Sequence, residues 1–286
     1  MPRRPPPTIP PELEGRWTLV GPLDARGGQS SPLLLRRERD SFLGVLRALK
    51  ASTPYNVERQ RREIRALQHY HHPNIIALVE HNIEAEPPWY ISEYGDPFPR
   101  LWASTRKRLQ DRPGALYALA LRYIRELLEG LAGLHRLGVV HRDIRPANLI
   151  FLPRGEEQSR QRVVLIDFGV AYVPDALRWR GSPPSGGGVP SPAGAGYGRL
   201  EKADPARDCA LVARLLADML REQPPRQTWQ GREAYHCMRF APGIPGEAIR
   251  ALLQSCEDAA RCPPDAAHML RLLEEALPAV EELAAR

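Results

Sequence analysis

His141-Arg142-Asp143-Ile144-Arg145-Pro146-Ala147-Asn148, followed 19 residues after its asparagine by Asp167-Phe168-Gly169, is the stretch whose reading decides this fold. An apolar run, Val163 to Ile166, leads into the second piece and has the look of a strand. A β-hairpin between the two pieces would return them to one cleft. That cleft would hold two carboxylates and an amide. One carboxylate there can take the proton of an attacking hydroxyl, while an amide and a second carboxylate are hard oxygen donors that suit Mg²⁺.

Upstream of this centre the chain changes character near residue 95. Between Trp17 and Lys50, short apolar stretches separated by Gly, Pro, Ser and charges read as a meander of strands. Residues 56–69 read as a charged helix with Ile64 and Leu67 on one face, stopped at His72-Pro73. Ile75 to Glu80 and Trp89 to Tyr94 follow as strands. Beyond Tyr94 the period becomes helical: Leu121, Ile124, Leu127, Leu128, Leu131 and Leu134 form one stripe. Asp208 to Glu222 reads as a buried helix, and Gly246 to Glu257 and Pro264 to Leu277 as two amphipathic ones. The Gly-, Pro- and Ser-rich interval 170–197 reads as a loop.

Composition narrows the classes. The 286 residues carry a formal net charge of +6, yet lysine occurs only at Lys50, Lys107 and Lys202. The charge is thus a bias toward arginine, and no basic run is interleaved with aromatics, so no nucleic-acid partner is expected. No apolar run approaches the length of a membrane span. Cys209, Cys237, Cys256 and Cys262 show no Cys-x-x-Cys spacing, which favours reduced structural thiols over a zinc site or disulfides. A cytoplasmic protein without a membrane partner is the expectation.

From about Trp17 to Leu277 the chain resembles the eukaryotic-type protein kinase superfamily, in the compact form of bacterial Ser/Thr kinase domains. The resemblance implies an α+β fold in two lobes. A Pro-rich disordered tail would cover 1–14, a small β-rich lobe with one helix 15–94, and a larger α-helical lobe 95–286. It implies ATP and Mg²⁺ in the cleft and transfer of the γ-phosphate to Ser/Thr hydroxyls of protein substrates. Asp143 would be the catalytic Asp, Asn148 and Asp167 the metal ligands, and Arg145 a cation toward the γ-phosphate. Lys50, in Arg47-Ala48-Leu49-Lys50, would contact the phosphates and pair with Glu63, 13 residues on. Ala48 and Leu23 would roof the adenine, Ile150 would floor it, and backbone groups of Glu93 and Gly95 would hold its edge. Ser92 would be the gatekeeper behind it. His141, Phe168, Leu67 and Leu78 would stack between the lobes, Asp208 would hold the catalytic loop, and Glu201 would pair with Arg261.

The pattern departs from the family in three places. Leu23 to Pro32 keeps Gly27 and Gly28 but carries side chains at most sites where backbone must approach phosphate. Arg145 stands for the usual lysine, and Gly194 stands where Ser/Thr kinases place a threonine. These departures support, as the rival reading, a nucleotide-binding pseudokinase. A Tyr or dual-specificity kinase and a small-molecule kinase are further alternatives. Arg142 before Asp143 implies control by a loop phosphate, and Ser182, Ser185 and Ser191 are the candidates for autophosphorylation.

Overall fold

The structure, a computed structural model, describes residues 9–23, 32–49, 53–154, 157–174, 204–220, 249, 252–253 and 263–285. Five short strands build the first layer: β1 (Trp17–Pro22), β2 (Leu33–Arg37), β3 (Leu43–Ala48), β4 (Leu78–Asn82) and β5 (Trp89–Glu93). They pair antiparallel in the order β1-β2-β3-β5-β4. One face of this sheet buries Trp17, Leu33, Leu35, Leu46, Trp89 and Ile91 in a small apolar core of its own. Its other face roofs a cleft and carries α1 (Pro54–His69).

That small core extends further toward the N-terminus than the sequence implies. Residues 9–14, assigned above to a disordered tail, are packed: Pro11–Leu13 is a turn of 3₁₀ helix and Leu13 is fully buried among Trp17, Trp89 and their neighbours. Glu12 Oε1 accepts hydrogen bonds from Trp89 Nε1 at 2.7 Å and Asn82 Nδ2 at 3.3 Å. The prolines that suggest disorder also preset φ for a tight turn, and Leu13 supplies the apolar anchor that a solvated tail would lack.

Helix α1 starts where the sequence gives it a start. Thr53 accepts from the Asn56 N–H at 3.3 Å, and Pro54 occupies the first turn, where its missing N–H costs nothing. It turns Gln60, Glu63, Ile64, Ala66 and Leu67 inward. At its end Tyr70 reaches the second lobe and donates to the carbonyl of Gly130 at 3.0 Å. Gly133 makes that reach possible, because a Cβ there would lie 1.8 Å from the Tyr70 hydroxyl.

The second lobe is organised on α3 (Pro113–Arg136), a helix buried along most of its length against α2 (Phe98–Arg108), α4 (Pro205–Leu220) and α5 (Ala266–Ala285). A three-stranded sheet, β6 (Asp96–Pro97), β7 (Leu149–Arg154) and β8 (Glu157–Leu165), forms the cleft floor. The expected hairpin between the two motifs is β7–β8. The helix expected over 246–257 falls mostly outside the described residues, although Ile249, Leu252 and Leu253 are buried. Among the described residues no helix is long and apolar enough to cross a membrane.

The lobes meet at the chain crossing after β5. Gly95 there cannot carry a side chain: a Cβ would stand 2.5 Å from the carbonyl oxygen of Phe151 on β7. A second seam ties residues 74–76 to β8, with Ile76 N–H donating to Leu165 O (3.0 Å) and Leu165 N–H to Asn74 O (2.9 Å). Leu13→Ala is expected to lower unfolding free energy by about 3 kcal/mol, by opening a cavity in a core with few other members. Denaturant unfolding followed by tryptophan fluorescence measures it; a loss below about 1 kcal/mol would show that the 9–14 segment is not part of this core.

Candidate active site

The cleft between the lobes encloses about 810 Å³. Leu23, Pro32 and Val45 line its roof, Leu149 and Ile150 its floor, and Ser92 to Gly95 its back edge. The two motifs arrive from the second lobe. His141–Asn148 is a loop without regular structure up to the Pro146–Asn148 turn, so something must fix its backbone. Asp208, fully buried at the start of α4, does this. Its carboxylate accepts from the N–H groups of His141 and Arg142, both at 2.7 Å, and His135 Nε2 stands 3.1 Å away. Held there, Arg142 adopts φ +70°, a left-handed conformation that costs a non-glycine residue energy. Its guanidinium lies over the Tyr172 ring, 5.3 Å from the centroid.

Asp143 and Asn148 are joined directly. Asn148 Nδ2 donates to Asp143 Oδ2 at 2.7 Å and to the Asp143 carbonyl at 2.9 Å. This uses the nitrogen of the amide and leaves its oxygen as the donor for a cation. Arg145 Nε lies 3.4 Å from Asp143 Oδ2, with both side chains partly open to the cleft. Asp167 lies in the same cleft at φ +67°, its Oδ1 accepting from Gly169 N–H at 3.2 Å. Gly169 leaves room for Arg59 of α1, since a Cβ would fall 2.4 Å from that guanidinium. A carboxylate, an amide oxygen and a further carboxylate fit a hard, oxygen-seeking ion that completes its shell with phosphate and water.

Glu63 is a buried acidic group that borders the cleft. Its Oε1 accepts from the Phe168 N–H at 2.9 Å and from the Tyr90 hydroxyl at 2.8 Å, which ties α1 to β5 and to the Asp167-Phe168-Gly169 turn together. Burial, and then the charge of Asp167, push its carboxyl above the usual range, against Arg47 and the two hydrogen bonds. Phe168 is fully buried beside His141, their rings edge to face at 4.8 Å, and it shares the main core with Leu67, against which Leu78 packs. These are the four side chains expected to connect the lobes.

The structure therefore brings together Asp143, Arg145, Asn148, Asp167, Glu63, Leu23, Glu93, Gly95 and Ile150 around one cleft. Ala48 is a correction. Alternation along β3 sends Gly44 and Leu46 to the Trp17 core and turns Val45, Arg47 and Leu49 to the cleft, so Val45, opposite Ser92, takes the roof position expected of Ala48. Lys50, Gly27, Gly28, Ser182, Ser185, Ser191, Gly194, Glu201 and Arg261 lie outside the described residues. Ser92 is buried and borders the cleft, while Tyr90, two residues back on the same face, fills the depth toward Glu63. Tyr90 and Arg47 were not singled out by motif. The signal that could have found Arg47 was a lone charged residue in an otherwise apolar strand.

His141 generates a pH dependence. Its Nδ1 accepts from Asp143 N–H at 3.3 Å and its Nε2 stands 3.2 Å from the Ile166 carbonyl, which fits the neutral ring with hydrogen on Nε2. Burial drives its pKa below the ordinary value, ahead of the opposing charges of Asp208 and Asp167. The unfolded chain thus takes up this proton first, so stability is whole above about pH 6.5 and falls as pH drops below it, by up to about 1.4 kcal/mol per pH unit for one proton. His141→Phe is expected to reduce that slope between pH 6.5 and 5; an unchanged slope in denaturant titrations would assign it to other groups.

Comparison with known proteins agrees with this geometry. The family model for the protein kinase domain matches residues 32–176, half of the chain. The serine/threonine-protein kinase PknB of Mycobacterium leprae is 30% identical over 57% of this chain and 26% of its own length. Aurora kinase A-A of Xenopus laevis is 34% identical over 53% of the chain and 36% of its own, and serine/threonine-protein kinase ssp1 of Schizosaccharomyces pombe 32% over 50% and 20%. The chain thus spans a fifth to about a third of the length of these relatives. With the β-rich and helical lobes, the Asp143–Asn148 pair and Asp167 in one cleft, the chain belongs to the protein kinase family.

Proposed function

We propose that this protein transfers the γ-phosphate of ATP to serine or threonine hydroxyls of protein substrates. The observation that carries the reading is the Asn148–Asp143 hydrogen bond at 2.7 Å, in a cleft that also holds Asp167. A carboxylate whose orientation is fixed in this way can receive the proton of an incoming hydroxyl. The hydroxyl oxygen bonds to the γ-phosphorus, the bond to the bridging oxygen breaks, ADP leaves, and the proton passes to an Asp143 carboxylate oxygen. Arg145, beside Asp143, presents its guanidinium to the charge gathering on the transferred group. Asn148 Oδ1 and the Asp167 carboxylate would hold Mg²⁺, which when bound neutralises charge on the phosphates. Leu23, Pro32 and Val45 above and Leu149 and Ile150 below form an apolar slot of the shape a purine needs.

The hydroxyl class rests on Pro146 in the catalytic loop and on the similarity to proteins named serine/threonine-protein kinases. One observation favours the rival reading, a nucleotide-binding pseudokinase: the cation on the cleft face of β3 is an arginine. Autophosphorylation at Ser182, Ser185 or Ser191 is a further proposal, supported by Arg142 at the edge of the catalytic loop.

Transfer from γ-labelled ATP to a mixed protein substrate decides between the readings. Asp143→Ala is expected to reduce transfer about 10²- to 10⁴-fold while the Mg·ADP-induced rise in melting temperature persists. Phosphoamino-acid analysis is expected to return phosphoserine and phosphothreonine. Wild-type protein that is stabilised by nucleotide yet labels nothing above the Asp143→Ala background would establish the pseudokinase.

A further inference from the structure

We propose that Arg47, not Lys50, supplies the positive charge that meets the nucleotide phosphates, a proposal that rests on the ATP-binding reading above. Four observations on β3 and its neighbours converge on it.

The first is register. Leu46 is fully buried in the Trp17 core, and a Cβ on Gly44 would come within 2.6 Å of Ile91 Cγ2. A slip of one residue would put Leu46 in the cleft and force Arg47 into that apolar core. The pairing of Val45 with Ser92 and of Arg47 with Tyr90 is therefore fixed from both sides of the sheet.

The second is countercharge. Arg47 lines the cleft together with Glu63 and Asp167, two carboxylates whose charge favours a cation beside them once water is reduced. Tyr90, then Glu63 and Asp167, hold the guanidinium charged against its burial. The third is attachment: Gln60 Nε2 of α1 donates to the Arg47 carbonyl at 2.7 Å, so the residue that carries the cation is bonded to the helix that carries Glu63. With the Tyr90–Glu63 bond, that helix is docked by contacts that do not involve Lys50.

The fourth is position. Among the described residues the other cations bordering the cleft are Arg59, Arg100 and Arg145. Arg59 lies against Gly169 and Arg145 beside Asp143. Arg47 stands on the cleft face of the roof strand, two residues past Val45, and lines the same cleft as Asp167, within reach of the phosphates of a nucleotide whose purine would lie against Val45. A guanidinium can there hold a phosphate oxygen with one pair of N–H groups and face Glu63 with another, which an ammonium does less well. The arrangement gives a different meaning to the scarcity of lysine in this chain.

The experiment compares the full chain with Arg47→Ala, Arg47→Lys and Lys50→Ala, by calorimetric titration with Mg·ADP and with adenosine. Arg47→Ala is expected to weaken ADP binding by about tenfold or more and adenosine binding by less than about twofold, since only ADP carries phosphate. Arg47→Lys should recover part of the loss, and Lys50→Ala should stay within about twofold of wild type for both ligands. A tenfold loss for Lys50→Ala with none for Arg47→Ala overturns the proposal. So does an equal loss of ADP and adenosine in Arg47→Ala, which would mark a structural role. If Arg47→Ala does not fold, wild-type protein treated with phenylglyoxal gives the answer by peptide mapping: ADP, and not adenosine, should slow modification of Arg47, and equal rates overturn the assignment. Because these readouts are binding and protection, wild-type protein that binds ADP but transfers no phosphate refutes the kinase reaction while Arg47 is still decided. Wild-type protein that binds neither ligand refutes both.

Discussion

A carboxylate taken out of water has to be surrounded by donors, and where those donors come from decides what the carboxylate holds together. Glu63 draws one from the Tyr90 hydroxyl on β5 and one from the Phe168 backbone in the second lobe. Three separate parts of the chain, α1, the sheet and the Asp167-Phe168-Gly169 turn, thus converge on one oxygen atom, Glu63 Oε1. The cost of burying the charge is what makes the convergence specific, because α1 has to sit where both donors reach Glu63. Asp167 inherits its position from this bond through the peptide that follows it.

A second buried carboxylate does the corresponding job on the other side of the cleft. Asp208 holds the backbone of His141 and Arg142, and those two bonds place Asp143 one residue on. Neither Glu63 nor Asp208 belongs to the group that would touch the transferred phosphate. They position the loops that do, and the left-handed backbone at Arg142 and Asp167 shows the energy such positioning has to overcome. The Asn148–Asp143 hydrogen bond is then a short-range consequence of a loop already shaped.

What the sequence made legible follows from how local its causes are. The His141–Asn148 and Asp167–Gly169 motifs carry their chemistry and their spacing within a few residues, and the hairpin between them was readable from the apolar run Val163 to Ile166 that leads into the second motif. The body of α1 was readable from Ile64, Leu67 and the stop at His72-Pro73, while its start, expected at 56, lies at Pro54 behind the Thr53 cap. The orientation of β3 was not. Leucine, valine and alanine fall on both parities between Leu43 and Leu49, so the strand alone does not say which side is inward. The Trp17 core and the close approach of Ile91 to Gly44 settle it, and both are contacts between distant segments. The 9–14 segment was misread for the same reason: Leu13 is meaningful only once Trp17 and Trp89 form a surface for it. That Gly95 has to lack a side chain was not readable either, because the passage of Phe151 behind it is not written nearby.

Besides the bond from Phe168 to Glu63, the lobes are attached along two separate lines. The chain itself crosses at residues 94–97, and the seam from Tyr70 to Ile76 is bonded to Gly130 and β8. Two attachments on a rigid body define an axis, and motion that keeps both intact is rotation about it. The cleft then works as a door on two pins. Ser92 on β5 lies next to the crossing and would sweep a short arc, while the roof at Leu23 and Pro32, beside β1 and β2 at the far edge of the sheet, would sweep a longer one. Nucleotide could enter and leave under that swinging edge while the grip of Glu63 on Phe168 never has to be released.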